Sequence, residues 1–220
     1  MIVAGGSGSR MGGGIPKQFR SLNSRPVLWW SMKAFHDEDP HTGLILVLPP
    51  EFISLWEDFY SSLPEPDRFP HLIAAGGSTR SESVRNGLAM IHDADSLVAV
   101  HDGARPLVNV STIAEGWKVA LQEGAAIPVV PVTDSLRKLT ADGSVCVDRS
   151  EYYAVQTPQV FQTSILSESY SRCDGMVFTD DAAVVENAGK KVSLYPGSPD
   201  NIKITNPKDM AIAAVLMGNA

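Results

Sequence analysis

Residues 1–18 read MIVAGGSGSRMGGGIPKQ, and this stretch sets the reading of the fold. A short apolar run, Met1 to Ala4, runs straight into Gly5-Gly6-Ser7-Gly8-Ser9-Arg10-Met11 and then Pro16-Lys17-Gln18. The apolar run predicts a buried strand. Glycines behind it let the backbone approach a ligand closely and take positive φ. Their successive N–H groups can form a concave anion site, and Arg10 and Lys17 add full positive charge beside it. The arrangement suits a nucleoside triphosphate. Two better-known glycine loops do not fit. A GxGxxG dinucleotide fingerprint starting at Gly6 and Gly8 would need glycine where Met11 stands. A Walker A loop needs GK[ST], but Lys17 lies between Pro16 and Gln18. An ordinary glycine-rich turn with two surface cations is the plainer alternative.

The same rhythm continues outward. Apolar runs at Gly43–Leu48, His71–Ala75, Leu97–Val100, Ala125–Val132 and Val192–Tyr195 read as strands. Between or after them, Pro26–Phe35, Pro50–Tyr60, Ser81–Ile91, Ser111–Leu121, Asp180–Ala188 and Pro207–Met217 read as helices, with Asn206 as N-cap of the last and Pro207 at its first position. Alternating strands and helices imply βαβ units and a mostly parallel, Rossmann-like sheet covered on both faces, an α/β fold. Residues 1–220 read as one domain. Pro64 to Pro70 reads as a surface loop.

One segment departs from the rhythm. Ser135–Thr140 and Val145–Arg149 flank Ala141-Asp142-Gly143-Ser144, a hairpin signal. Its polar arms predict a β-hairpin that projects from the domain, either as a solvated flap or as an arm covered by another subunit.

Composition narrows the class. The 220 residues are 44% hydrophobic and 20% charged, as in a folded globular chain. The net charge of −7 argues against a general nucleic-acid binder, which needs a basic face. The two cysteines, Cys146 and Cys173, form no CxxC or Cys/His cluster, so neither a disulfide framework nor a zinc site is expected, and no metal ligand set can be read. No apolar run approaches the roughly 20 residues of a membrane span, and no signal-like segment is apparent, so a reducing, cytoplasmic setting is expected.

Three further groups carry chemistry. Gly76-Gly77-Ser78-Thr79-Arg80-Ser81-Glu82-Ser83 follows a strand and can meet a base and ribose, or simply cap a helix through Ser78, Thr79 or Ser81. His101-Asp102-Gly103-Ala104-Arg105-Pro106 sits at the carboxyl end of a strand, where open α/β sheets bind ligands. There Asp102 can face magnesium or a ribose hydroxyl, and Arg105 can face phosphate or pair with Asp102. His101 reads as a strand-end residue rather than a base. Thr179 reads as an N-cap with acids in the first turn, and Lys203, between Ile202 and Ile204, as a cation pointing off a strand edge into a cleft. No Ser/His/Asp or Cys/His triad is readable.

Taken in order, AGGxGxRMG…PKQF, GGxxRxxSVxxGL, HDxxRP, VDR, QTPQxF, TDDAxxVE and DNIKIT resemble the 2-C-methyl-D-erythritol 4-phosphate cytidylyltransferase family of the non-mevalonate isoprenoid pathway, from Val3 to about Ala213. The resemblance implies a fold of the nucleotide-diphospho-sugar transferase type. It implies transfer of CMP from CTP to the phosphate of 2-C-methyl-D-erythritol 4-phosphate, with release of pyrophosphate. Magnesium is implied as cofactor, and a homodimer joined through an arm at about 133–155. Catalytic roles are implied for Arg10 and Lys17 at the α-phosphate, and for Arg149 and Lys203. The cytidine set would be Ala4, Gly5, Gly6, Gly77, Ser78 and Ser83, with Gly8 in the same loop. Asp102, Gly103 and Arg105 would lie at the ribose and methylerythritol side. Ser135 and Arg149 would hold the substrate phosphate of the neighbouring subunit, and Thr179 would complete the phosphate pocket with Lys203. The chain departs from the family at Gly5, where alanine is common, at Ser135, where threonine is, and at Ser78, where some members carry aspartate. Ribitol-5-phosphate cytidylyltransferases share the glycine loop, HDxxRP and QTPQxF. They are the alternative enzyme reading, and a nucleotide-binding module without turnover is the alternative from another class.

Overall fold

The computed structural model describes residues 1–5, 15–173 and 176–218. Gly6, Gly8 and Arg10 of the glycine loop lie outside the described residues. The strands are β1 (Ile2–Val3), β2 (Ser21–Leu22), β3 (Arg25–Pro26), β4 (Ile45–Leu48), β5 (Leu72–Ala75), β6 (Leu97–Asp102), β7 (Ala125–Pro131), β8 (Arg137–Thr140), β9 (Gly143–Cys146), β10 (Tyr153–Val155), β11 (Gln159–Gln162) and β12 (Ser193–Pro196). The helices are α1 (Val27–Glu38), α2 (Ile53–Ser62), α3 (Arg80–Leu88), α4 (Val110–Glu123), α5 (Thr163–Ser171), α6 (Asp181–Asn187) and α7 (Pro207–Gly218).

β5, β4, β1 and β6 pair in parallel, in that order. β11 then runs antiparallel between β6 and β7, while β7 also pairs β12 in parallel and β10 antiparallel. The sheet is therefore mixed, with a parallel half as the alternating pattern predicts. The antiparallel β11 has no counterpart in that pattern. Its four residues, QVFQ, are apolar only at the centre.

The strand alternation shows why both faces are covered. Leu46, Leu48 and Ala99 pack with Trp29, Met32, Phe35 and Trp56, the side of α1 and α2. Ile45, Val47, Val98 and Val100 pack with Val84, Leu88, Leu166 and Val184, the side of α3, α5 and α6. All four residues of β4 are buried, as in a strand sandwiched between helix layers.

Several helix ends follow from local chemistry. Thr79 accepts from Glu82 N–H while Glu82 reaches back to Thr79 N–H, a capping box that starts α3. Asn109 caps α4, and Gly124 ends it in the left-handed region at φ +85°. Asn206 accepts from Lys208 N–H, and Pro207 opens α7, as the sequence predicts. At α6 the prediction is off by one residue. Asp180, extended at φ −152°, caps the helix through Ala183 N–H, so Thr179 is left facing the cavity described below.

The hairpin is present as β8 and β9, with Ala141-Asp142 at the turn and Gly143 opening β9 at φ +134°. Every residue of β8 is exposed, and Leu139 is 82% exposed. A second, unforeseen hairpin joins β2 and β3, where Asn23 and Ser24 both take positive φ as a type I′ turn requires. Pro64–Pro70 is less of a free loop than its composition predicts. Phe69 is buried, and Asp67 pairs with Arg25 while its carbonyl accepts from Trp29.

Candidate active site

A cavity of about 590 Å³ opens at the carboxyl ends of β1, β5 and β6, where an α/β sheet of this kind binds its ligand. Eleven of the sequence-predicted residues reach its wall: Ala4, Gly5, Lys17, Gly77, Ser78, Ser83, Asp102, Gly103, Arg105, Thr179 and Lys203.

One wall is the loop from β5 into α3. Gly77 N–H donates to Ser83 Oγ at 3.1 Å, and Ser83 Oγ donates to the Thr79 carbonyl at 2.9 Å. The Glu82 carboxylate accepts from Ser78 N–H at 2.6 Å, Ser78 Oγ at 2.7 Å and Thr79 N–H at 3.3 Å. Those donors hold the Glu82 carboxyl below its ordinary value. A Cβ on Gly77 would stand 2.3 Å from Glu82 Cβ, so only glycine fits. Opposite, Gln18 Nε2 donates to the Ala4 carbonyl at 2.6 Å and ties the Lys17 turn to the end of β1.

The floor is Asp102. Its Oδ2 lies 2.8 Å from Lys203 Nζ and 3.3 Å from Arg105 Nε. Burial alone would raise the Asp102 carboxyl, but Lys203 and then Arg105 outweigh it and hold the group down at about 2. Asp102 is therefore an anion at neutral pH that orients two cations. Lys203 does point into the cavity, but from a segment outside any strand, tied by Ile204 N–H to the Ala104 carbonyl at 2.8 Å. Arg105 Nη1 also donates to the Asn201 carbonyl at 2.7 Å.

His101 sits behind this floor, fully buried, and is not in the cavity wall. Its Nε2 faces the Arg105 carbonyl at 3.1 Å, which can only accept, so Nε2 carries the proton. Nδ1 then accepts from the Thr157 hydroxyl at 3.0 Å, and Thr157 Oγ1 accepts in turn from Asp102 N–H at 3.0 Å. Burial holds the imidazole down at about 4, so it is neutral and structural, as its strand-end position predicts.

Of the arm, Val155 reaches the cavity wall of its own chain, but neither Ser135 nor Arg149 does. Arg149 also has a partner in its own arm that the sequence did not reveal, the Thr133 carbonyl. Sequence reasoning passed over Gln18, Arg80, Gln156, Thr157, Gln159 and Asp180, all of which line the cavity. Arg80 carried a signal, since it is the fixed arginine of GGxxR. Among the described residues no three His, Cys, Asp or Glu side chains converge on a metal position.

Chemically, the wall combines lysines, arginines, the ion-paired Asp102, Asp180, and hydroxyl, amide and backbone groups, with no histidine or cysteine among its described residues. Such a site stabilises negative charge and positions an anion. A family model described as 2-C-methyl-D-erythritol 4-phosphate cytidylyltransferase matches residues 1–219. A protein of that name from Bacteroides thetaiotaomicron is 47% identical over 219 residues, covering 99% of this chain and 98% of its own length. One from Phocaeicola vulgatus is 46% identical over 217 residues, with 99% and 98% covered. The crystal structure of 2-C-methyl-D-erythritol 4-phosphate cytidylyltransferase from Thermus thermophilus superimposes with a TM-score of 0.77 at 32% identity, covering 98% of this chain and 97% of that one.

Proposed function

The chain belongs to the 2-C-methyl-D-erythritol 4-phosphate cytidylyltransferase family, and on that premise we propose how its cavity carries the reaction. The protein is a cytidylyltransferase. It transfers CMP from CTP to 2-C-methyl-D-erythritol 4-phosphate, giving 4-diphosphocytidyl-2-C-methyl-D-erythritol and pyrophosphate in isoprenoid biosynthesis. A phosphate oxygen of the sugar alcohol attacks the α-phosphorus of CTP in line with the leaving pyrophosphate. That oxygen is already anionic, so no general base is needed, and catalysis reduces to positioning and charge stabilisation.

The observation that carries this reading is the convergence of Lys17, Lys203 and Arg105 on one cavity, the last two held by the Asp102 carboxylate. Lys17, together with Arg10 of the glycine loop, offsets the charge that builds on the α-phosphate. Lys203 and Thr179 meet phosphate oxygens, with Asp102 holding Lys203 in place. Ala4, Gly5, Gly77, Ser78 and Ser83 frame the cytidine, with Gly6 and Gly8 in the same loop. Asp102, Gly103 and Arg105 lie toward the ribose and the sugar alcohol.

Mg²⁺ fits this donor set as an ion carried in largely by the triphosphate, since it commonly binds one or two carboxylates plus substrate phosphates. Asp102 is the carboxylate nearest the cations, and already bridges two of them. When bound, the ion would neutralise part of the triphosphate charge.

The exposed arm supports a homodimer in which Ser135 and Arg149 serve the partner's cavity. Leu139, Val145, Tyr153 and Val155 leave apolar surface there for a second copy to cover. A cytoplasmic location accords with two free cysteines. No helix among the described residues is long and apolar enough to cross a membrane.

Lys17→Ala tests the assignment of roles. Loss of a group acting mainly in the transition state should lower kcat on the order of 100-fold, with CTP binding by calorimetry changed much less. Normal turnover in the folded variant contradicts it.

A further inference from the structure

Arg80 opens α3 immediately after the Gly76–Thr79 loop, and its guanidinium makes a two-pronged contact with Asp181, 101 residues away at the start of α6. The prongs are 2.9 Å from Nη1 to Oδ1 and 2.5 Å from Nη2 to Oδ2. The Asp181 side chain is fully buried, and Arg80 is 29% exposed on the cavity wall. Tyr170 donates to the same carboxylate at 2.6 Å, and the Gln159 side-chain oxygen accepts from the backbone N–H groups of Asp181 and Ala182. Burial first, then the Asp181 carboxylate, push the Tyr170 phenol well above its ordinary value, so it stays a donor. Asp102 and Asp181 both favour the charged form of Arg80.

This pair joins two walls of one cavity. On one side is the loop that ties Gly77 to Ser83 and Ser78 to Glu82. On the other are Thr179 and Asp180, whose carboxylate both caps α6 and accepts from Gln159. Arginine's planar fork fixes a carboxylate in direction as well as distance, which a lysine cannot do.

We propose that Arg80 is a positioning residue for the nucleotide. Through Asp181 it sets the separation between the Gly76–Ser83 loop and the start of α6, so that base and triphosphate are held at once. The inference rests on the nucleotide reading of the cavity. It assigns Arg80 its main effect on CTP rather than on the second substrate, since Asp102 holds Arg105 and Lys203 by direct contact and meets Arg80 only through the weaker pull of its charge.

The test uses Arg80→Lys, which keeps the charge and loses the fork, and the double variant Arg80→Met/Asp181→Asn, which leaves no lone buried charge. Thermal melting confirms that each is folded. The expected result is a KM for CTP raised about tenfold in both, with kcat within about threefold of wild type and KM for the sugar phosphate within about twofold. The preference for CTP over UTP should fall in the same variants, because a loosened loop reads the base less strictly. An unchanged KM for CTP in the folded variants overturns the proposal. So does a parallel loss in kcat and both KM values, which marks the pair as scaffolding only. If wild-type protein itself releases no pyrophosphate from CTP, it is the nucleotide reading that fails, before any variant is compared.

Discussion

Acidification from pH 7.5 to pH 5 should destabilise this protein by about 2 kcal/mol through His101 alone. The imidazole is fully buried behind the cavity floor, and burial lowers it from 6.5 to about 4. In the unfolded chain the same group takes up a proton near 6.5. Between those values the unfolded state binds the proton and the folded state does not. The contribution to stability is thus complete above about pH 6.5, shrinks as pH falls, and is exhausted below about 4. One pKa unit corresponds to about 1.4 kcal/mol, so the whole window is worth about 3 kcal/mol, and more than half has gone by pH 5. Asp102 does not blur the measurement, because its carboxyl titrates near 2 in the folded protein and its contribution is retained at pH 5. The assay is urea unfolding at both pH values, on wild type and on His101→Asn, which cannot titrate. Wild type should lose about 2 kcal/mol more than the variant between the two conditions. Equal losses would refute the assignment of His101 as a buried neutral ring donating to the Arg105 carbonyl and accepting from Thr157.

Other perturbations reach the site more directly. Asp102→Asn leaves Lys203 and Arg105 without their shared anion, and because Lys203 is 43% exposed the loss of stability in urea should be about 1–2 kcal/mol, with turnover down at least tenfold; a neutral effect on both would contradict the floor described above. Gly77→Ala forces a Cβ to within 2.3 Å of Glu82 Cβ, so KM for CTP should rise severalfold, which steady-state kinetics would show. Arg149→Ala should raise KM for the sugar phosphate much more than KM for CTP. Mixing that variant with Lys17→Ala should restore part of the activity, because one site in each mixed dimer would be intact; mixed dimers no more active than their parents would exclude action across the interface.

The sequence was most legible where one chemical demand controls a segment. A strand between two helix layers must be apolar on both faces, and ILVL at Ile45–Leu48 is. Gly5 after β1 and Gly77 after β5 mark the same end of the sheet from which the cavity opens. Legibility failed where local preference yields to distant partners. α5, TSILSESYS, has no side-chain cap and is rich in hydroxyl-bearing residues, and is held by Leu166 and Tyr170 in the core. β11 is made a strand by β6 and β7 on either side, not by its own composition. Arg80 stood inside a quoted motif, but its role depends on Asp181 across 101 residues. Thr179 and Asp180 both suit an N-cap, and the choice between them falls to backbone geometry and Gln159, which holds the Asp180 carboxylate from β11. The Arg149–Thr133 contact within the arm likewise closes across a hairpin, where no spacing rule points to it.

The central claim is the reaction itself, and the most direct test is pyrophosphate release by the purified protein with CTP, Mg²⁺ and a sugar-alcohol phosphate. 2-C-methyl-D-erythritol 4-phosphate should support release that ribitol 5-phosphate matches poorly or not at all, with the cytidylylated product formed in equal amount to the pyrophosphate. CTP should be used well ahead of UTP and ATP. Turnover faster with ribitol 5-phosphate would contradict the choice of substrate, and CTP binding without pyrophosphate release would contradict the assignment of the cavity as a catalytic site.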